Sequence, residues 1–242
     1  MLYLTARSVA AVLGVALASG CGLISSDVTD FALTLPPRKF TIDATGWQVD
    51  TKAGTLFGSD GKLAPVSCNS MPSMCGAAVA TACAMGCSGA CNSMTNSCEL
   101  TLDVSRSQMV DLVSEQPELK SINDQSVIKV SIDSVTYRVD SNSLTVATPA
   151  IDLYVAPLSV LAPGDAQAKL IGTIPGVAAG MTTGDMPVAF TQTGKADLIN
   201  IMSQFKVPFN VLEGSKILVT AGQALPAGKL EAVVNITGHA GL

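Results

Sequence analysis

The chain is nearly without histidine: His239, close to its end, is the single one among 242 residues. Zinc hydrolase sites use several histidine ligands, and Ser-His or Cys-His catalysis needs an ordered histidine inside a pocket. Either site would depend on one side chain in a terminal segment, where chains are usually mobile. The sequence therefore disfavours both enzyme classes and assigns no catalytic residue.

Aromatic residues are also scarce, with one Trp, three Tyr and six Phe. Because sugar sites usually offer aromatic platforms, a carboxylate-dependent hydrolase of envelope polymers is an alternative function and not the first one. Its candidate residues are the acids on or beside predicted strands and helices: Asp103, Asp111, Asp133, Asp140 and Asp152. Turn formation and solvation explain these acids without catalysis. Trp47 is expected in the core, with a ligand platform as the alternative.

Charged residues make up only 14% of the chain, and acidic residues outnumber basic ones, 19 to 14. No basic stripe appears, so the chain is not expected to bind nucleic acid. Its negative charge also opposes adsorption to anionic membrane surfaces. The many Val, Ile, Leu and Ala residues nevertheless predict a folded chain with a sizeable core.

The N-terminal segment has the pattern of an export signal. Arg7 precedes an apolar run, Val9–Gly20, which is shorter than the roughly 20 residues that a membrane span needs. Small residues end the run directly before Cys21. This resembles the signal of bacterial lipoproteins, in which that cysteine is acylated and becomes the mature N-terminus. An ordinary signal peptide and an uncleaved anchor are the alternatives.

The lipoprotein resemblance implies a location and a domain plan. Cys21 would carry palmitate-type acyl chains, which together give stable anchoring. Gly22 stands where an Asp favours inner-membrane retention, so the resemblance implies the outer membrane of a bacterial cell envelope, with the face left open. Residues 1–20 would be the signal peptide, 21–30 the lipidated tether and 31–242 the folded domain.

Six further cysteines lie within 31 residues: Cys68, Cys75, Cys83, Cys87, Cys91 and Cys98. An even number in an exported protein predicts three disulfide bonds. The Ala-rich residues 76–92 are predicted to form a helix, which would place Cys83, Cys87 and Cys91 on one stripe. Since neighbours on such a stripe do not face each other, each is expected to pair with a flanking cysteine, and six pairings stay open. The uncharged residues 63–98 would then be a disulfide-stapled helical insertion.

The same segment supports a second function class. Thiolates and thioethers prefer Cu(I) and similar soft metals, and Met71, Met74 and Cys75 would bring three sulfur atoms close together. An oxidising compartment favours disulfides over free thiols, so a soft-metal (copper) lipoprotein is an alternative and no metal or other cofactor is assigned. The sequence has no Cys-x-x-Cys motif, which argues against a redox role.

Alternation of apolar and polar residues predicts strands along most of the remaining chain. Val130 and Ile132 share one parity and Val135 has the opposite parity, which predicts a β-bulge near Asp133–Ser134. A hairpin turn is predicted at Asp140–Ser143.

The last part of the chain is predicted to form a second hairpin, with strands at Lys216–Ala221 and Lys229–Thr237. Short helices are predicted at Gln108–Glu115, capped by Ser107, and at Lys195–Phe205. Antiparallel strands with few helices are typical of a sandwich.

Residues Val135–Tyr154 resemble the succession of strand, polar Asn turn, strand and strand found in LEA14/WHy-type β-sandwich proteins. That family usually has Asn-Pro-Asn at the turn, where this chain has Ser141-Asn142-Ser143. The resemblance implies a mainly β chain that forms an antiparallel immunoglobulin-like β-sandwich without catalysis.

These observations favour a lipid-anchored, non-catalytic binding or structural protein of the cell envelope. Its partners would be the membrane, through the acyl chains, and an envelope protein or polymer docked on a strand edge or on the cysteine-rich segment. The soft-metal protein and the carboxylate hydrolase are the alternative functions.

Overall fold

The structure is a computed structural model that describes residues 31–68, 72–121 and 128–241. The predicted export signal and tether, together with Cys21 and Met71, lie outside the described residues. Within the described residues, eleven strands and three α-helices form a mainly β chain with two antiparallel sheets, consistent with a β-sandwich.

The first sheet has five strands, in the order β1-β11-β5-β8 with β2 also paired to β11. Their bounds are β1 (Phe31–Thr34), β2 (Arg38–Asp43), β5 (Lys129–Asn142), β8 (Met186–Pro187) and β11 (Lys229–Gly241). The second sheet has six strands, in the order β3-β4-β10-β6-β7-β9. Their bounds are β3 (Cys87–Asn92), β4 (Ser97–Val110), β6 (Ile151–Pro157), β7 (Lys169–Ile174), β9 (Ala189–Phe190) and β10 (Phe209–Val219).

The core lies between the sheets and follows the alternation of the long strands. Every second residue of β4, β5, β10 and β11 is buried over much of each strand: Leu100, Leu102, Val104, Val135, Tyr137, Val139, Val211, Ile217, Val219, Leu230, Ala232, Val234 and Ile236. Full burial of one such aliphatic side chain stabilises the fold by roughly 1.5–3 kcal/mol. The period of two therefore fixes which face of each strand meets the other sheet.

Strands β1 and β2 follow each other along one side of β11 and are interrupted at Pro36-Pro37. Proline cannot donate a ladder hydrogen bond, which suits it to an edge position. The outward carbonyl oxygens of this edge accept hydrogen bonds from long side chains of the opposite layer. The bonds run from Gln116 to Thr34, from Gln108 to Lys39 and from Arg106 to Thr41.

The predicted bulge in β5 is confirmed. Ser134 pairs with Thr237 and Ile132 with Gly238, which leaves Asp133 as the extra residue on β5. Such a residue is re-aimed by the local bend, and the Asp133 carboxylate lies 2.9 Å from Nδ1 of His239.

Both predicted hairpins are wrong. Strand β5 runs through Asp140–Ser141 to Asn142, and the next strand, β6, belongs to the second sheet. Likewise β10 pairs with β4 and β6, whereas β11 pairs in the first sheet. The alternation of the strands was predicted, but alternation alone does not say whether the chain folds back beside itself or crosses to the other layer.

Three short helices complete the described chain: α1 (Pro72–Ala82), α2 (Leu112–Glu115) and α3 (Gly194–Ser203). The helix predicted at Lys195–Phe205 is confirmed as α3, with Leu198 and Met202 buried. The one predicted at Gln108–Glu115 is confirmed only in its second half, Leu112–Glu115, because β4 extends to Val110. Asp111, and not Ser107, caps α2 by accepting a hydrogen bond from the Ser114 amide, 3.1 Å away.

The helix predicted over residues 76–92 is also wrong in its second half. Helix α1 ends at Ala82, Gly86 has a positive φ of 75°, and β3 begins at Cys87. A Cβ at Gly89 would overlap the Val79 side chain, so glycine there lets β3 lie against α1. The left-handed conformation of Gly86, which glycine adopts readily, then turns the chain into β3.

Three disulfides cross-link the segment: Cys68–Cys91, Cys75–Cys98 and Cys83–Cys87. The first agrees with the expected pairing of a stripe cysteine with a flanking one. The other two do not, because the expected helical stripe is absent: Cys83 follows the end of α1, and Cys87 and Cys91 lie on strand β3. Once the chain turns at Gly86, Cys83 and Cys87 face each other with a Cα–Cα distance of 6.2 Å.

Candidate functional site

A cleft of about 460 Å³ opens between α3 and the ends of β6, β7 and β10, and we call it the α3 cleft. It is lined by Val155, Pro157, Ala166, Gln167, Lys169, Asp197, Asn200, Ile201, Gln204, Val207, Pro208 and Phe209. Its volume lies within the range of sites for small molecules and for inserted side chains.

Glycine at the start of α3 positions the helix over the sheet. A Cβ on Gly194 would overlap the carbonyl oxygen of Ile171 in β7, so the close approach of α3 to β7 requires glycine. Leu198 and Met202 then enter the core and fix the rotation of the helix. The opposite flank turns toward the cleft.

That flank carries four residues at helical spacing, Asp197, Asn200, Ile201 and Gln204, which lie on one face because they are three or four residues apart. Ile201 is part of the apolar floor, together with the fully buried Val155 and Phe209. The other three form a polar rim opposite Lys169.

The polar rim is free to bind. Within the described residues, the side chains of Lys169, Asp197, Asn200 and Gln204 make no hydrogen bond or ion pair. Two amides, one carboxylate and one ammonium around an apolar floor can hold an amphipathic ligand by burial and by hydrogen bonds.

Glu213 is a second unusual group, and it lies in the core between the sheets. It is 0% exposed, and neither carboxylate oxygen has a hydrogen-bond partner among the described residues. Burial raises the pKa of Glu213 from 4.5 to about 7, and the positive charge of Arg106 opposes part of that rise. The sequence analysis missed this residue, although Glu213 has the parity of Val211 and Ile217, which are core residues of the same strand.

Of the five candidate carboxylates for a hydrolase, the structure brings two to one groove and leaves the other three apart. Asp103 and Asp152 line an outer groove of about 510 Å³ with Tyr154 and Lys216. Thr173 donates a hydrogen bond of 3.0 Å to Asp152. Burial, and then the charge of Asp152, raise the pKa of Tyr154.

The remaining three carboxylates have local partners. Asp111 caps α2, and the hydrogen bond from Ser114 lowers its pKa. Asp140 forms an ion pair with Arg138, and the hydrogen bond from that guanidinium lowers its pKa. Asp133 lies 2.9 Å from His239 on an exposed face.

Trp47 is partly buried and donates a hydrogen bond of 2.9 Å from Nε1 to the carbonyl oxygen of Asp103. It lines a pocket of about 230 Å³ together with Met85, Gly86 and Arg106. Trp47 thus packs against the core, as expected, and also borders a pocket; its role as a ligand platform stays a prediction.

The six cysteines after Cys21 are all bonded as disulfides, so their thiolates are not free in this form. Of the methionines in the segment, Met74, Met85 and Met94 are exposed. In the described parts of the chain, no three His, Cys, Asp or Glu side chains form a group that could hold a metal ion.

The described residues contain no helix that is both long and apolar enough to cross a membrane. The α3 cleft places an apolar floor beside an unpaired polar rim. No family model, no curated protein and no solved structure matches the chain.

Proposed function

We propose that the chain is a lipid-anchored, non-catalytic binding protein of the bacterial cell envelope, held in the outer membrane through Cys21, and that the α3 cleft is its binding site. The observation that carries the proposal is the cleft itself: buried Val155 and Phe209 form its floor, and unpaired polar side chains form its rim. The lining offers one carboxylate, Asp197, and no hydroxyl or thiol nucleophile, which supports binding and not bond cleavage.

The disulfides support the envelope location. Three disulfides within residues 68–98 suit a protein that folds after export, since such bonds persist outside the cytoplasm. The apolar run before Cys21 supplies the export signal and the acylation site.

The ligand that fits the cleft is a peptide segment of an envelope protein. Asn200 and Gln204 each offer an amide that donates and accepts, which matches the donors and acceptors of a peptide backbone. The apolar floor would take one or two inserted side chains of that segment. Lys169 and Asp197 present both charges, so they would select the orientation of the segment more than its net charge.

The proposal extends to the architecture. We take the two sheets to be an immunoglobulin-like sandwich and residues 63–98 to be its disulfide-stapled insertion. Two antiparallel sheets and three clustered disulfides support this assignment. In this arrangement, the insertion adds β3 to one edge of the second sheet. The α3 cleft lies toward the opposite edge, where β6 and β7 are.

Site-specific photo-cross-linking tests the binding site. A benzoylphenylalanine replaces Val207 in the cleft or, as the matched control, Leu218 on β10; the two apolar side chains are 57% and 50% exposed. After irradiation of envelope-bound protein, we expect a defined protein adduct from position 207 and none from 218. The substitution Ile201→Trp, which fills the floor, should remove the adduct.

Equal adducts from both positions, or an adduct from 207 that survives Ile201→Trp, would overturn the cleft as the binding site.

Anchoring is tested separately with Cys21→Ser. We expect the wild-type chain to incorporate radiolabelled palmitate and to sediment with outer membranes, and the variant to lose both properties. A variant that still sediments with the membrane would contradict anchoring through Cys21.

A further inference from the structure

The three disulfides differ in how far a reagent can reach their sulfur atoms. Cys75 and Cys98 are 1% and 0% exposed, and Cys68, 8% exposed, is bonded to the partly buried Cys91. In the Cys83–Cys87 bond both cysteines are only partly buried and lie at the margin of the core. Because thiol–disulfide exchange needs access to a sulfur atom, an approaching thiolate meets the Cys83–Cys87 bond most easily.

This bond also closes the shortest loop. Its cysteines are 4 residues apart in sequence, against 23 for each of the other two pairs. The entropy that a cross-link removes from the unfolded chain grows with loop length, so the short link contributes least to folding. Met85, 63% exposed, forms the tip of the loop.

Each end of the loop is held without the disulfide. The amide of Cys83 donates a 2.7 Å hydrogen bond to Val79 in α1, and Cys87 pairs with Leu102 of β4. The carbonyl oxygen of Met85 lies 3.6 Å from Sγ of Cys83 and 3.5 Å from Sγ of Cys87. After reduction, either thiol would therefore have an acceptor within reach.

We propose that Cys83–Cys87 is a thiol–disulfide exchange site, reducible in the folded protein by a dithiol such as a Cys-x-x-Cys protein of the envelope. A thiolate of the dithiol attacks one of the two sulfur atoms, the bond between the cysteines breaks, and the departing sulfur takes up a proton. The second thiolate of the dithiol then attacks the dithiol's own sulfur in the mixed disulfide. This step releases the second cysteine of the chain, which also takes up a proton. The chain gains two electrons and two protons as two thiols, and the dithiol becomes a disulfide.

Reduction at this site would change the environment of the Trp47 ring. A Cβ on Gly86 would lie 3.3 Å from Cδ1 of Trp47, so the loop packs against the indole ring. Met85 and Gly86 also form one wall of the pocket that Trp47 and Arg106 line. Since Trp47 is the single Trp of the chain, its fluorescence reports on the state of the loop.

The test is graded reduction of the exported, fully oxidised protein. Dithiothreitol is added in steps, free thiols are alkylated with iodoacetamide, and peptides are mapped while circular dichroism and Trp47 emission are recorded. We expect Cys83 and Cys87 to be alkylated together, at least about tenfold faster than the other four cysteines, with a changed Trp47 emission and an unchanged β-sheet signal.

A double variant of this chain and a variant of thioredoxin test the exchange site further. Cys83→Ser with Cys87→Ser should fold, lose the fast alkylation and show the Trp47 emission of the reduced wild type. A thioredoxin whose resolving cysteine is changed to serine should trap a mixed disulfide with wild type and none with that double variant. Reduction of Cys68–Cys91 at the same rate, loss of the sheet signal during the fast phase, an unfolded double variant, or no trapped adduct would each overturn the proposal.

Discussion

Glu213 of β10 and Arg106 of β4 are directly paired across the second sheet, yet they do not form an ion pair. The Arg106 guanidinium donates instead to the carbonyl oxygens of Thr41 and Ser105, at 3.2 and 2.9 Å. The Glu213 carboxyl is left in the core with no hydrogen-bond partner among the described residues. A buried carboxyl without a partner is most stable in its neutral form.

The substitution Glu213→Gln should change how stability depends on pH. The native carboxyl holds its proton up to about pH 7, whereas the unfolded one releases it near 4.5. The native state therefore binds more protons in this window, and the free energy of unfolding of wild type falls as pH rises through it. Relative to wild type, the variant should gain on the order of 3 kcal/mol between about pH 4 and pH 8.

Urea unfolding of the oxidised proteins at several pH values measures this difference. Glu231→Gln is the control, because hydrogen bonds from Lys229 and Ser141 lower the pKa of Glu231, a shift opposite in direction to that of Glu213. A difference between wild type and Glu213→Gln that stays constant with pH would refute a proton held on Glu213.

The substitution Arg106→Gln should move the same titration upward. Removing the guanidinium charge removes the one influence that lowers the pKa of Glu213, so the carboxyl should stay protonated to a higher pH than in wild type. Loss of the hydrogen bond to Thr41 should also cost about 1 kcal/mol of unfolding free energy at every pH. Carbon-13 NMR of the Glu213 carboxyl follows the titration directly, and an unchanged or lower pKa would contradict the electrostatic role of Arg106.

The substitution Gly194→Ala should loosen α3. The new methyl group would overlap the carbonyl oxygen of Ile171, so the helix would have to move away from β7. Overpacking of this kind costs about 1–3 kcal/mol of unfolding free energy. Gly184→Ala is the control, because its Cβ would meet open space. Thermal unfolding of both variants measures the effect, and equal midpoints would show that α3 is not tightly seated.

The substitution Asn210→Leu should release the loop of residues 158–168. The buried Asn210 amide donates to the carbonyl oxygens of Leu158 and Val160, at 2.9 and 2.8 Å. Replacing it leaves both acceptors without this donor, at a cost of about 1–3 kcal/mol. Faster hydrogen exchange and faster proteolytic cleavage within the loop should follow. Asn200→Leu, an exposed site on α3, should leave the loop as protected as in wild type.

Local alternation was enough to predict several strands and one irregularity. The parity change between Ile132 and Val135 has one simple cause, an extra residue, and Asp133 is that residue. Helix α3 was predictable because its apolar residues recur at helical spacing. Both signals come from residues close together in the sequence. Their spacing is set by the geometry of one strand or one helix, so it can be recognised without knowing the rest of the fold.

Placement in the sandwich was not predictable in the same way. Whether β6 lies beside β5 or in the other sheet depends on packing between residues far apart, and the alternation of β6 is the same in either case. The helix over residues 76–92 failed because Gly89 is needed where β3 meets Val79, a contact made only after folding. The wrong disulfide pairing followed from that helix.

The α3 cleft has no sequence signature either. Its lining comes from β6, β7, α3 and β10, which are brought together by the fold and not by a motif. Glu213 is the exception, because an acid with the parity of core residues can be recognised from the sequence alone as a buried carboxyl group.

The capped edge formed by β1 and β2 limits how copies of this protein can associate. An open edge strand is a template onto which a second molecule can add a strand, and this is how folded β proteins polymerise at high local concentration. Here Gln116, Gln108 and Arg106 already occupy outward acceptors of the edge, and Pro36-Pro37 removes two donors from it. The β1–β2 edge is therefore closed to strand addition, and many copies can be crowded together without their sheets joining along it.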